Sequence, residues 1–503
     1  MTITLKNVSF SYSDSLDNAI IRKLNFEIKS GECVVLVGES GCGKTTISKL
    51  INGLIPLYQS GTMAGDVFLS DKNTADMTLA EISRHVGSVF QNPRSQFFNI
   101  DTDSEIAFGC ENLGMDPEEI RERVNRVVKE FHIEHLAGRN IFHLSGGEKQ
   151  KIACASVSAT DPEIFVLDEP SANLDLKTVE DLAEIINFWK SRGKTVVVVE
   201  HRIHYLREIA DRICYVKDGC IVHEWTPAEL EAKGPEYAAS LGLRCMNLKQ
   251  LGEIEDARRS LPRAVFRGGH DETSVIASRE AVKQSPAEAL TFRDLHFAYN
   301  RNFPVLDISE LSLPRNQITA IIGHNGAGKS TLAQVLCGLR GTWRQKRKAR
   351  KYGAYLIMQD VNHQLFTESV LDEILLGMNP QDENAALEIL ERLNLKEYAS
   401  CHPMALSGGQ KQRVAIGSGV SSGREIVVFD EPTSGLDYRQ MLSVSATLQK
   451  LAAGGKTLLV ITHDPEFILN CCSNIIRMEH GKITEQYPLQ GNQEKLVETM
   501  LNV

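Results

Sequence analysis

Gly38-Glu39-Ser40-Gly41-Cys42-Gly43-Lys44-Thr45 decides how this 503-residue chain is read. It is a Gly-x-x-x-x-Gly-Lys-Thr loop set between the apolar run Cys33-Val34-Val35-Leu36-Val37 and Thr46-Ile47-Ser48-Lys49-Leu50-Ile51. The flanks predict a buried strand, a tight turn and the first turns of a helix. Backbone N–H groups of such a turn converge on one point, and the helix N-terminus adds partial positive charge. Glycines let phosphate oxygens approach where side chains would block them. Lys44 then reaches β- and γ-phosphates, and the Thr45 hydroxyl can ligate Mg²⁺. A glycine turn that merely joins a strand to a helix is the plainer reading. Repetition argues against it: Gly323-His324-Asn325-Gly326-Ala327-Gly328-Lys329-Ser330 follows the strand Ile318-Thr319-Ala320-Ile321-Ile322.

The second half of the chain repeats the first. Thr4-Leu5-Lys6-Asn7-Val8-Ser9-Phe10-Ser11-Tyr12 lines up with Thr291-Phe292-Arg293-Asp294-Leu295-His296-Phe297-Ala298-Tyr299, both alternating strands ending in tyrosine. Lys44 to Gln91 is 47 residues and Lys329 to Gln359 only 30, so insertions fall early in each copy. Later spacing is kept: 24 residues separate Ser145 from Glu169 and Ser407 from Glu431. Glu169 to His201 and Glu431 to His463 are both 32 apart. The domains expected are 1–225 and 288–503, with 226–287 a helical extension and linker belonging to neither core. Thr226-Pro227-Ala228-Glu229-Leu230 reads as a helix start with Pro at its first position. Gly252 to Ala287 mixes charges, Gly268-Gly269 and Pro286, as a linker does. The basic run 344–351 could meet anionic headgroups or nucleic acid, but a solvated hairpin is the simpler expectation.

Composition narrows the class. Hydrophobic content of 42% and charged content of 24% are those of an ordinary globular protein. A net charge of −10 and a pI near 5.8 argue against a general nucleic-acid binder. No stretch approaches the roughly 20 apolar residues that cross a bilayer. The N-terminus has neither the basic nor the apolar region of a secretory signal. Eleven scattered cysteines without Cys-x-x-Cys spacing fit reduced thiols in the cytosol. Cys42 inside the loop admits a redox switch, though a small filler is the simpler reading.

Each copy also carries an apolar run ending in two acids: Ile164-Phe165-Val166-Leu167-Asp168-Glu169-Pro170 and Ile426-Val427-Val428-Phe429-Asp430-Glu431-Pro432. A buried parallel strand delivers both carboxylates at its C-terminal edge, where open α/β sheets bind ligands. The first acid is placed to hold Mg²⁺ through water, and the second to take a proton from an attacking water. The pair could instead cap the next helix, but it follows a phosphate loop in both copies. Leu144-Ser145-Gly146-Gly147-Glu148-Lys149-Gln150 and Leu406-Ser407-Gly408-Gly409-Gln410-Lys411-Gln412-Arg413 offer a hydroxyl and bare N–H groups to an anion. A second anion cradle makes sense if it serves a nucleotide bound to the other copy.

With these motifs in hand, nearly all of both halves resembles the ATP-binding-cassette (ABC) ATPases. The resemblance implies an α/β fold of two tandem nucleotide-binding domains. Each would have a P-loop RecA-like core, an antiparallel β subdomain and an α-helical signature subdomain. It implies ATP and Mg²⁺ as ligands. Lys44 and Lys329 match the Walker A lysine, Asp168 and Asp430 the Walker B aspartate, and Glu169 and Glu431 the general base. Ser145 and Ser407 match the signature serine, with Gly146, Gly147 and Glu148, and Gly408, Gly409 and Gln410, beside them. Gln91 and Gln359 match the Q-loop glutamine, and His201 and His463 the switch histidine. Tyr12 and Tyr299 match the aromatic that stacks on adenine. Thr46 and Thr331 extend the phosphate loops. Metal contacts are implied for Thr45, Gln91 and Asp168, and for Ser330, Gln359 and Asp430. Ala172-Asn173-Leu174-Asp175 and Ser434-Gly435-Leu436-Asp437 occupy the D-loop. The family arrangement is head to tail, with the two domains pairing inside one chain and Ser407 facing the ATP of Lys44. Both sets are complete, so two hydrolysis-competent sites are expected.

Gln91-Asn92-Pro93-Arg94-Ser95-Gln96-Phe97-Phe98, the stretch from Glu105 to Gly114, and Gln359 to Ile374 resemble the energy-coupling-factor (ECF) importer ATPases. That resemblance implies a transmembrane scaffold and a separate substrate-capture membrane protein as partners. It implies no nucleic acid, and a peripheral place on the cytoplasmic face of the membrane. Most such ATPases are separate chains; here two would be fused. A ribosome-associated tandem cassette protein would carry a long charged helical linker, which the helix breakers of 252–287 do not provide. A sugar-importer tandem ATPase typically has a degenerate second cassette, unlike this one.

Overall fold

The computed structural model describes residues 1–172, 174–251, 289–300, 303–341, 346–347 and 353–501. It divides into two compact units, Met1–Leu248 with Ser434–Met441, and Lys249–Thr433 with Leu442–Val503. The linker reading of 252–287 and Asn173 of the D-loop lie outside the described residues. So does the basic run 344–351, apart from Lys346 and Arg347, which are helical.

The first unit begins with β1 (Ile3–Ser11), β2 (Ile21–Ile28), β3 (Cys33–Val37), α1 (Lys44–Ile51), α2 (Leu54–Leu57), β4 (Thr62–Leu69), β5 (Lys72–Asn73), α3 (Leu79–His85) and β6 (Val86–Val89). It continues through α4 (Thr102–Asn112), α5 (Pro117–Glu130), α6 (Gly146–Ala159), β7 (Ile164–Asp168), α7 (Leu176–Ser191) and β8 (Thr195–Val199). Then come β9 (Arg212–Lys217), β10 (Cys220–Trp225), α8 (Pro227–Ala232) and α9 (Gly234–Ser240).

Its central sheet has the order β10-β9-β3-β8-β7-β6, parallel except for β10. The loop strand β3 lies between β8 and β9, where the strand order reverses and open α/β sheets leave a crevice. Every residue of β3 is buried: Cys33, Val35 and Val37 enter the core on one face, Val34 and Leu36 the core on the other. That two-sided cover explains why the sequence shows an unbroken apolar run instead of alternation. An antiparallel sheet, β2-β1-β4-β5, packs its inner face (Ile3, Leu5, Val8, Phe10) into the second of these cores. On the other side α4, α5 and α6 meet through Ile106, Val127 and Ile152.

The segment after residue 225 requires a correction to the expected boundary. Thr226 caps α8 in a capping box with Glu229, as Pro227 at the first position anticipates. Leu230, Ala238, Leu243 and Met246 are buried in the first unit's core, and the Tyr215 hydroxyl donates to Leu241 O. Residues 226–248 therefore belong to that core. Their apolar positions are too few and too irregularly spaced to reveal this without the surface they cover.

The second unit contains β11 (Ala289–Asn300), β12 (Phe303–Pro314), β13 (Ile318–Ile322), α10 (Lys329–Leu336), β14 (Ala354–Ile357), α11 (Val370–Leu376), α12 (Glu383–Arg392) and α13 (Gly408–Ser421). It closes with β15 (Ile426–Asp430), α14 (Tyr438–Ala453), β16 (Thr457–Ile461), α15 (Pro465–Cys471), β17 (Asn474–Glu479), β18 (Lys482–Pro488) and α16 (Gln493–Leu501). The sheet order β18-β17-β13-β16-β15-β14 reproduces the first unit's strand for strand. β11 and β12 form its antiparallel element.

Candidate nucleotide site

Each loop is built by its strand and helix together. Gly38 has φ 150°, and a Cβ there would lie 2.3 Å from Val216 O. At Gly323, φ 145°, it would lie 2.1 Å from Met478 O. Only glycine lets the loop lie this close to β9 and β17. Helices α1 and α10 start at the lysines behind glycine N-caps that supply no side-chain cap, the setting in which helix N-termini take anions. Lys44 is 5% exposed and donates from Nζ to Gly38 O and Glu39 O, both at 2.9 Å. Lys329 does the same with Gly323 O (2.6 Å) and His324 O (2.9 Å). Both ammonium groups are thus held over the loop by carbonyls that do not neutralise them. Within the first unit, the Ser40 N–H donates to Asp437 Oδ2 (2.8 Å), so a carboxylate already uses one loop donor.

The acids close the site from the ends of β7 and β15, which lie beyond β8 and β16 from the loop strands. Thr45 Oγ1 donates to Asp168 Oδ1 at 3.1 Å. Burial, and then the charge of Glu169, push Asp168 up to about 6. Burial also raises Asp430, against a hydrogen bond from Ser330. Each pair offers hard oxygens whose charge a cation would stabilise. Among the described residues no group of three His, Cys, Asp or Glu forms a metal cluster.

Glu169 and Glu431 have φ of 46° and 49°, in the left-handed region, and their N–H groups donate to Val199 O (2.8 Å) and Ile461 O (2.9 Å). Two non-glycine residues bent alike at matching positions mark a conformation the surroundings impose. It turns the Glu169 carboxylate between Gln91, whose Nε2 donates to Oε2 at 2.6 Å, and His201, whose Nε2 is 3.3 Å from Oε1. That histidine contact lacks hydrogen-bond alignment, and the buried Nε2 has no hydrogen-bond partner. A phosphate oxygen is the kind of acceptor it lacks. His463 Nε2 stands 3.6 Å from Glu431 Oε1 in the second unit, while Gln359 is exposed just beyond β14.

Tyr12 and Tyr299 are exposed beside the loops, with hydroxyls 3.3 Å from Thr46 and Thr331. Phe10 and Phe297 brace them edge-on, at 4.9 and 5.0 Å between ring centroids. Arg340 lies over the Tyr299 ring at 5.5 Å, so that ring already carries a planar cation. Ser145 and Ser407 form capping boxes with Glu148 and Gln410 at the starts of α6 and α13. Their described bonds stay inside those turns, and neither is joined to the loop of its own unit.

Sequence reasoning missed the groups that hold the histidine loops. Glu200 is 2% exposed and accepts from the N–H groups of Ser171 (3.0 Å), His201 (2.7 Å) and Arg202 (3.0 Å) and from the Tyr205 hydroxyl (3.0 Å). In the second unit Thr462 stands at that position. Buried Asp464 takes over, accepting from Thr433 Oγ1 and Phe467 N, both at 3.1 Å. The available signal was a charge directly after a valine-rich strand.

A family model described as "ABC transporter" matches residues 21–172 and 306–434. A Treponema denticola protein named as an ABC transporter ATP-binding protein is 42% identical over 508 residues, covering 99% of each chain. A Bacillus subtilis protein named as an HMP/thiamine import ATP-binding protein is 32% identical over 94% of this chain and 89% of its own. Among solved structures, archaeal ABCE1, described as ribosome-bound with Pelota, aligns at TM-score 0.65 over 98% of this chain and 80% of that one. Its identity is 21%, which shows a shared fold and nothing more.

Proposed function

The chain belongs to the ABC transporter family, and from that premise we propose that it powers import of a small solute as the ATPase of an ECF-type complex. ATP binding and hydrolysis come with the family. The membrane partners, the solute class (a vitamin, metal or similar micronutrient) and a peripheral place on the cytoplasmic face are our reading.

In this reading Lys44 and Lys329 turn from loop carbonyls to the β- and γ-phosphates. Thr45 with Asp168, and Ser330 with Asp430, would hold Mg²⁺ with Gln91 and Gln359 nearby, and the ion would supply positive charge against that of the phosphates. Glu169 and Glu431 take the proton of the attacking water. His201 and His463 donate to the γ-phosphate, and Tyr12 and Tyr299 stack on adenine.

The observation that carries the partner assignment is one device, present in both units. Glu105, 2% exposed, accepts from the N–H groups of Phe98 (3.0 Å) and Asn99 (2.7 Å), pinning the loop after Gln91 onto α4. The loop then presents Phe98, 74% exposed and stacked on Phe108. Glu373 holds Phe366 and Thr367 in the same way, and Phe366 is 73% exposed. Rigidly held, exposed aromatics suit an apolar partner helix. Gln91 connects this loop to Glu169, so a partner docked there would act on the proton acceptor. Among the described residues no helix is long and apolar enough to cross a membrane, so a partner would supply the pathway.

The test is purification in mild detergent with Phe98→Ser and Phe366→Ser beside the wild type. Co-purification of integral membrane proteins with the wild type, lost in the double variant, is expected. Sedimentation with ribosomal particles instead would overturn the assignment.

A further inference from the structure

An open cavity of about 700 Å³ lies in the second unit between α12, α13 and α14. Its charged lining is all one sign: Arg392, Arg413, Lys450 and Lys456, with no carboxylate among the lining residues. Arg413 Nε is buried without a hydrogen-bond partner. Lys456 donates to Arg424 O at 2.6 Å, and burial lowers its pKa. The nearest acids stand outside: Glu388 is 3.8 Å from Arg392 on an exposed helix face, and Glu425 pairs with Arg315. Leu393 and Leu451 supply apolar wall.

The first unit shows what this position holds when it is purely structural. The halves stay in register from Phe131, opposite Leu393, onward. Arg413, Arg392, Lys450 and Leu451 correspond to Lys151, Glu130, Phe188 and Trp189. There Lys151 pairs with Asp181 (2.8 Å) and Arg192 with Glu130 (3.1 Å). Phe131, Phe188 and Trp189 fill the space, Trp189 stacking on Phe165 with ring centroids 4.0 Å apart. In the second unit Asp181 has become Ser443, Glu130 has become Arg392 and Glu184 has become Ala446. These acids are gone, the aromatic filling has shrunk, Arg413 and Lys456 keep the charges of Lys151 and Lys194, and Arg392 and Lys450 are added. Arg413 and Lys456 are half-buried beside this emptied space while Arg392 and Lys450 stand exposed at its rim, so an anion in the cavity would meet positive charge at its wall and its mouth.

We propose that this cavity binds a soluble organic anion, carrying phosphate, sulfonate or carboxylate groups on an apolar body. The volume lies within the range of about 300–1,000 Å³ usual for small-molecule sites. Such a ligand joins α13, which Ser407 caps, to α14, and so can modulate the ATPase from outside the nucleotide site. The inference stands independently of the transport reading.

The test uses the full chain and a fluorescent polyanion, 8-hydroxypyrene-1,3,6-trisulfonate, followed by anisotropy. Dye held by the phosphate loops forms a background the variants leave untouched. Ser443→Asp returns the acid of the first unit to Arg413, and Leu451→Trp returns its filling. Each should weaken the saturable binding at least about tenfold, as loss of a charge-assisted contact does. Lys151→Gln, at the matching place in the first unit, should leave it unchanged. Pyrophosphate should compete. Equal affinity across all variants with unchanged melting temperatures overturns the site. So does capture by phosphatidylglycerol vesicles with no binding of soluble dye.

Discussion

At the scale of single residues, the proposed chemistry rests on side chains that the backbone forces into place. Glu169 and Glu431 keep their left-handed backbone because β7 and β15 end where the next N–H must reach β8 and β16. Glu200 gathers three backbone N–H groups and a phenol, so Glu200→Ala leaves buried donors unsatisfied. We expect it to cost about 3 kcal/mol or more. Denaturant titration of the first unfolding transition checks this, and a loss under about 1 kcal/mol would contradict it. Gly38→Ala sets a methyl 2.3 Å from Val216 O and should abolish nucleotide binding at that loop. Retained binding of a fluorescent ATP analogue at wild-type affinity would refute that geometry. The positions of the lysines, acids and histidines could be read because in both copies each stands at or just beyond the end of an apolar strand. Glu200 was not, because the two halves solve its task with different residues, Glu200 in one and Asp464 in the other. Repetition therefore pointed past both.

At the scale of elements, capping separates structural from ligand-binding roles. Ser145 and Thr226 both close capping boxes, at α6 and α8. Each replaced by alanine should cost about 1 kcal/mol of stability. If Ser145 also holds nucleotide, Ser145→Ala lowers ATPase turnover far beyond what Thr226→Ala does; equal activities would leave Ser145 a cap alone. Helices α8 and α9 were expected to stand apart from the core, yet Leu230 is 1% exposed within it. Leu230→Ala should cost about 2–5 kcal/mol by leaving a cavity, seen as a lowered melting temperature of the first unit. The strands β3 and β13 could be read from their apolar runs. Short amphipathic helices such as α8 could not, since their partner surface is assembled from distant segments.

At the scale of the whole molecule, one strand order occurs twice and each copy carries the same motifs at the ends of corresponding strands. The repeat made this architecture legible, while the differences between copies became visible only through packing. The first unit fills the space beside α7 with aromatics and ion pairs, and the second leaves it open and basic. The central claim is that Glu169 and Glu431 each serve as proton acceptor at a working site. The measurement that bears on it most directly is steady-state ATPase turnover of Glu169→Gln combined with Glu431→Gln, alongside ATP-binding stoichiometry. We expect turnover to fall by about 10²–10⁴ while ATP binding at both loops persists. Near-normal turnover in the double variant would contradict the account.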